Sequence, residues 1–313
     1  MTKIRFDTIR LYPKLQKALK KANRGKTDAL GEIFAEHRKA PWEERNQYRG
    51  LVSEDLSIPA LDTWCRYDPT SPDAWLLRGC RRTHWAWEAR GGGGAETVTQ
   101  EGWRLFGQRL HGAEADLLWS AELLPEDPTP LCSLITVAMG LSQGRDRIRE
   151  LFAAAIERDP ESAAAYHRAT YALTEKWSGS HDEMFAIARQ AADLARPHND
   201  LATVLIDAHI ERWLYYKAFA EDKEGAMRYL NTNDVRQEVT LLFDRTMKSS
   251  AYSSRPSTRD TYNTAAFWFF LTRDKKRLAF CFDKMDGAFL EAPWQYYANP
   301  ATTIGEALKM ARR

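Results

Sequence analysis

The sequence predicts an all-α fold, an α-solenoid of stacked helix-turn-helix pairs, and three observations carry that reading. Strand signals are nearly absent: no run of β-branched residues alternates with polar ones, and the one Asp-Gly step, Asp286-Gly287, lacks strand-like flanks. Apolar residues recur instead at spacings of three and four, in blocks of roughly twelve to eighteen. Asp-Pro steps at Asp68-Pro69, Asp127-Pro128 and Asp159-Pro160 each end one block and precede another.

The blocks predict helices over about 8–23, 27–38, 42–52, 58–66, 73–90, 96–110, 112–124, 130–142 and 145–158. They continue over about 161–174, 181–195, 199–219, 223–230, 233–249, 257–271, 274–286 and 301–312. The first is basic: residues 1–26 hold Lys3, Arg5, Arg10, Lys14, Lys17, Lys20, Lys21, Arg24 and Lys26 against Asp7 alone. Leu11, Leu15, Ala18, Leu19 and Ala22 form one narrow apolar stripe without Trp or Phe, as a capping helix with a solvated basic face requires. A membrane-surface helix or an acidic-partner contact is the competing reading.

In the 73–90 block, Pro72, Asp73 and the bulky Trp75 start a helix, and Gly79 four residues later lets a neighbouring helix approach closely. Gly91–Gly94 lacks the spacing and the preceding strand of a phosphate loop, and reads as a flexible connection. The 151–160 segment places small Ala153 and Ala155 where a second helix presses on its neighbours, then a proline that cannot continue it. At K-W-S-G-S-H-D-E-M (176–184), Ser180 and Glu183 form a capping box ahead of apolar Met184 and Phe185. The cap uses every polar residue there except His181.

From Pro128 to Pro160 is 32 residues and from Pro160 to Pro197 is 37, close to the roughly 34-residue tetratricopeptide unit. With Trp75, Gly79, the small alanines and the terminal prolines, this resembles the tetratricopeptide pattern. Pro69 to Pro128 spans 59 residues, so one unit there is elongated or two are irregular. The central block is similar to a family of bacterial tetratricopeptide-like proteins with a domain of unknown function. That likeness rests on W-L-L-R-G…W-A-W-E-A-R-G (75–91), A-E-L-L-P-E-D-P (121–128) and K-W-S-G-S-H-D-E-M-F-A-I-A-R (176–189), with Lys-Trp-x-Gly-Ser the most specific part. It covers about residues 60–200, and it implies a right-handed stack of helix pairs and no established activity. The expected organisation is a single repeat domain over 1–313, with basic capping helices in 1–60, a tetratricopeptide-like core in 61–220 and degenerate pairs in 221–313.

Composition bounds the function. Of 313 residues, 44% are apolar and 28% charged, which suits a chain with a real core. Forty-five basic against 43 acidic residues leave +2, and so balanced a charge argues against nucleic acid as partner. The start lacks an apolar signal region, and the densest apolar run, Ala265 to Leu271, is too short to span a membrane. Cys65, Cys80, Cys132 and Cys281 lie far apart, as reduced, packed thiols do. A cytoplasmic protein without a membrane span is expected.

His84 and Glu88 have a metal-compatible spacing, but no second pair and no H-E-x-x-H accompanies them, so no metal or other cofactor is expected. No G-x-S-x-G is present. If Trp75 and Tyr166 occupy equivalent wedge positions, His84, Trp87, His167, Tyr171, Arg212 and Tyr215 line a concave groove, where aromatic and Arg side chains anchor a bound segment. The first expectation is therefore a module that binds a protein or peptide. The alternative is an enzyme or small-molecule binder that uses the groove as its pocket.

Overall fold

The computed structural model describes residues 4, 6, 9–177, 179–253, 255, 257–285, 287 and 289–312. Lys3, Arg5, Asp7 and Thr8 of the expected basic helix, Ser178 of the capped segment, and Asp286 lie outside them. Among the described residues all regular structure is helical, and no helix is long and apolar enough to cross a membrane. By contact the chain divides into two compact units, Ile9–Leu173 and Thr174–Arg313, the latter also taking Met1–Thr8.

The N-terminal unit holds α1 (Pro13–Ala22), α2 (Asp28–His37), α3 (Trp42–Ser53), α4 (Ile58–Tyr67), α5 (Pro72–Arg90), α6 (Gln100–Leu123), α7 (Thr129–Gly140), α8 (Arg145–Arg158) and α9 (Ala163–Ala172). Their starts follow local chemistry. Ser71, Thr99 and Ser162 each accept a hydrogen bond from the backbone N–H three residues on, and Pro72 opens α5 where no donor is needed. Gly91 ends α5 at φ 75°, a conformation a side chain would strain.

Helices α5 and α6 form an antiparallel hairpin across the Gly91–Gly94 connection. Gly102 lies against the Ala89 carbonyl, Gly79 against Leu117, and the Ser120 hydroxyl donates to the Pro72 carbonyl at 2.9 Å. A Cβ at Gly79 would stand 2.6 Å from Leu117 Cγ, so its lack of a side chain is what permits the close approach. The break expected between 110 and 112 does not occur; α6 is continuous. Gly112 costs the helix about 1 kcal/mol relative to Ala. It is retained inside α6 because partners on α5 hold that turn: the Arg82 guanidinium packs over Gly112 and donates to its carbonyl at 3.3 Å.

The core of this unit joins Leu15, Leu19 and Ala22 of α1 to Leu30 and Phe34 of α2, Val52 of α3, Leu61 and Trp64 of α4, and Leu77 of α5. Helix α3 does more than cap. It packs on α5, α7 and α9 together. Arg45 fixes it there: the side chain is fully buried, with Nε 2.8 Å from Asp127 and Nη1 2.5 Å from Asp73. Arg38 also donates to Asp73.

The C-terminal unit holds α10 (His181–Leu194), α11 (Ala202–Ala218), α12 (Lys223–Leu230), α13 (Asn233–Arg245), α14 (Thr258–Leu271), α15 (Lys275–Met285) and α16 (Pro300–Ala311). Helix α11 packs on α10, α12, α13 and α14. The core is aromatic: Phe243, Phe267, Trp268, Phe269 and Trp294 are all but inaccessible. Buried Asn263 orders the far end, accepting from Trp294 Nε1 at 2.9 Å and donating to the Ala292 carbonyl at 2.7 Å. Ser180 Oγ accepts from the Glu183 N–H at 3.2 Å, the N-cap half of the expected box, and the Glu183 carboxylate accepts from the Ser180 hydroxyl at 3.1 Å.

Candidate functional site

The polar stripe of α3 is Glu43, Asn46, Arg49 and Ser53, spaced by three and four residues and so sharing one face. Opposite it on α5 stand Arg81, His84 and Glu88, again one stripe. Ser53 Oγ and His84 Nε2 are 3.2 Å apart, and Glu43 Oε2 accepts from the Ala164 N–H of α9 at 3.4 Å. The two ends of the α3 stripe thus touch α5 and α9. Between them Arg49 is 6% exposed, and Arg168 of α9 donates to Thr136 Oγ1 of α7 at 2.7 Å.

Electrostatics marks this place, the arginine recess, as poorly solvated and crowded with positive charge. Burial, followed by Arg49, Arg168 and Arg81, pushes the His84 pKa down to about 4, yet solvent still reaches 36% of its side chain. Burial and then Arg49 push Arg168 down to about 10, so two guanidiniums crowd a poorly solvated space. The carboxylates nearby offset this charge unevenly. Glu54 is 71% and Glu88 56% exposed, so both stand at the rim, Glu88 paired with Arg81 at 2.9 Å. Glu43 is the deeper one. Such a recess suits a carboxylate or phosphate, since guanidinium forks present paired donors to two oxygens at once.

A second polar cluster lies in the C-terminal unit around His181. Its Nε2 stands 3.1 Å from Glu175 Oε2, out of line for a good hydrogen bond, and its ring meets Tyr215 edge-on at 4.6 Å between centroids. Tyr215 donates to Glu175 at 3.3 Å, and Lys176 pairs with Glu211 at 2.5 Å with both side chains nearly buried. Burial raises the Glu211 pKa against the opposing pull of Lys176. The space these residues line with Thr174, Met184 and Phe219 holds about one water molecule, too little for a substrate.

A third network is internal. His209 Nδ1 is 2.6 Å from Tyr229 Oη and Nε2 is 3.0 Å from Glu238, which also accepts from Arg189 at 3.0 Å. Burial lowers the His209 pKa against the opposing pull of Glu238.

The residues expected to line a groove fall as follows. His84 is in the arginine recess. Trp87 packs on Phe106 of α6 at 4.9 Å and lies where a Cβ on Gly140 would approach it. His167 and Tyr171 share one face of α9, both half-buried. Arg212 donates to Tyr216 at 2.8 Å, and Tyr215 belongs to the His181 cluster. Arg49, Arg81 and Arg168 were not singled out by the sequence reading. On a helix, isolated arginines look like solvated surface, and only the polar stripe 43, 46, 49, 53 hinted that α3 has a second packed face. Among the described residues no group of three His, Cys, Asp or Glu side chains could hold a metal ion, and Cys65, Cys80, Cys132 and Cys281 are buried free thiols. Burial pushes Cys65 and Cys132 up to about 12. No known family model matches the sequence, and a search of the curated proteins returns no match.

Proposed function

We propose that the protein is a cytoplasmic interaction module whose helix pairs stack in right-handed, tetratricopeptide-like order, and that it receives an acidic segment of a partner protein. The observation that supports this reading is the recess formed by Arg49, Arg81 and Arg168 around neutral His84. Guanidiniums crowded into a poorly solvated space repel one another, and an incoming carboxylate relieves that repulsion while finding bidentate donors. Ser53 and Asn46 add neutral hydrogen-bonding groups beside the charges. The likeness at 75–91, 121–128 and 176–189 to tetratricopeptide-like proteins supports the stacked-helix part of this reading and carries no activity with it.

The test is affinity capture from the native cell with the full chain, followed by mass spectrometry of proteins and small ligands. A partner that the wild type captures and that Arg81→Gln/Arg168→Gln loses, with thermal unfolding unchanged, supports the reading. Equal capture by both forms would place the binding surface elsewhere. A small molecule co-purifying with the wild type and lost from the variant would favour the alternative, a small-molecule-binding protein or enzyme.

A further inference from the structure

Helix α1 presents a second, independent charged surface. No acidic residue occurs between Thr8 and Thr27, and Lys14, Lys17, Lys20, Lys21, Arg24 and Lys26 are all exposed, with no hydrogen bond or ion pair through their side chains among the described residues. The opposite face is committed to the fold. Leu15, Ala18, Leu19 and Ala22 are buried in the core of the N-terminal unit. Beyond the helix end, Asn23 donates to the Asp55 carbonyl and accepts from the Ser57 N–H, each at 2.8 Å. At 100° per residue, Lys14, Lys17, Lys20 and Lys21 span an arc of about 120° pointing away from that core. The ridge is thus held by the fold, and its basic side chains are unpaired among the described residues. Glu32 and Glu36 of α2 are exposed and unpaired with it.

We propose that this ridge docks the protein peripherally on an anionic lipid bilayer. Three features select that occupant. The ridge offers mostly ammonium point charges, which suit a fluid plane of phosphates better than the paired oxygens of a fixed carboxylate. The surface from Pro13 to Lys26 exposes no aromatic or large aliphatic side chain, so it has nothing to stack on bases or wedge between them. A straight ten-residue helix, about 15 Å long, lies tangent to a flat surface with all four lysines within reach of headgroups. Because the apolar stripe faces the core, attachment is electrostatic, without insertion.

Vesicle co-sedimentation of the full chain tests this. The expected result is binding to vesicles of 70% phosphatidylcholine and 30% phosphatidylserine in about 0.1 M salt, and none to phosphatidylcholine alone. Binding falls about fivefold for each lysine removed, so Lys14→Gln/Lys17→Gln/Lys20→Gln/Lys21→Gln loses several hundredfold. Replacing the same four lysines by arginine retains it. Circular dichroism and thermal unfolding, unchanged in both variants, exclude loss of fold. The proposal is overturned if phosphatidylserine makes no difference, if the glutamine variant binds as well as wild type, or if a DNA duplex binds the ridge while the vesicles do not. Arg81→Gln/Arg168→Gln leaves vesicle binding intact, which separates this surface from the arginine recess.

Discussion

Arg45 and Asp127 lie 82 residues apart in the chain, yet they are joined by a 2.8 Å hydrogen bond with neither side chain exposed to solvent. Asp127 also accepts from the Thr129 N–H at 2.8 Å, so one carboxylate both begins α7 and holds α3 in place. The turn that punctuates the sequence as Asp127-Pro128 is therefore a tertiary anchor, and Arg45 is its counterpart. Removing one member of such a pair leaves the other charged and dry, which costs far more than the pair itself contributes.

Arg45→Met is accordingly expected to lose about 3–5 kcal/mol of stability, read from the urea midpoint of the full chain. Adding Asp127→Asn to that variant should recover part of the loss, because one of the two carboxylates that Arg45 neutralises is gone while Asp73 keeps Arg38. A loss below about 1 kcal/mol for the single change would show that α3 is not held by this pair.

Helix existence was legible because apolar spacing is a local property. The bounds expected at 145–158 and 223–230 match the structure; the first helix stops just before Asp159-Pro160, and the second starts just after Asp222, which accepts from the Gly225 N–H. The expected break between 110 and 112 is absent because α6 continues through Gly112, where Arg82 of another helix packs, a contact that local sequence does not reveal. The role of α3 was not legible for a related reason. Periodicity names a buried face but not its partner, and Arg45 meets residues 28 and 82 positions away. His84 could be picked out as a candidate by its type and place on α5. Arg49 and Arg168 could not, since desolvation exists only after the helices assemble.

Gly79→Ala tests the α5–α6 contact with a cost that depends on its neighbour. Alone, the added Cβ collides with Leu117 Cγ at 2.6 Å, an overpacking cost of about 1–3 kcal/mol. In a Leu117→Ala background that collision is gone, and the helix propensity gain of about 1 kcal/mol is opposed only by the Ala113 carbonyl 3.2 Å from the added Cβ, so the same change costs less. Urea titration of the four proteins in the cycle reads this; equal effects in both backgrounds would exclude a direct contact.

Ser180→Ala removes the cap of α10 and is expected to cost about 0.5–2 kcal/mol. Hydrogen exchange should report the loss first at the amide of Glu183. Unchanged stability and protection would mean that the capping geometry contributes nothing to the fold.

His84 supplies the pH dependence. Its folded pKa of about 4 lies below the ordinary 6.5, because burial and the guanidiniums of Arg49, Arg168 and Arg81 disfavour a further positive charge. As pH falls from 6.5 towards 4, the unfolded chain takes up the proton and the folded chain does not, so this residue's contribution to stability declines across that window and is flat above it. The rim carboxylate Glu54 stands 3.6 Å from the His84 ring, and Glu88 is paired with Arg81. An NMR titration of the His84 ring should show its midpoint near 4, and His84→Gln should remove that part of the slope in stability against pH. An acidic segment bound in the recess adds negative charge beside the imidazole and raises the midpoint. By linkage, its affinity must then increase as pH falls through the interval between the free and bound midpoints. A midpoint unmoved by a ligand that Arg168 is needed to bind would place that ligand away from His84.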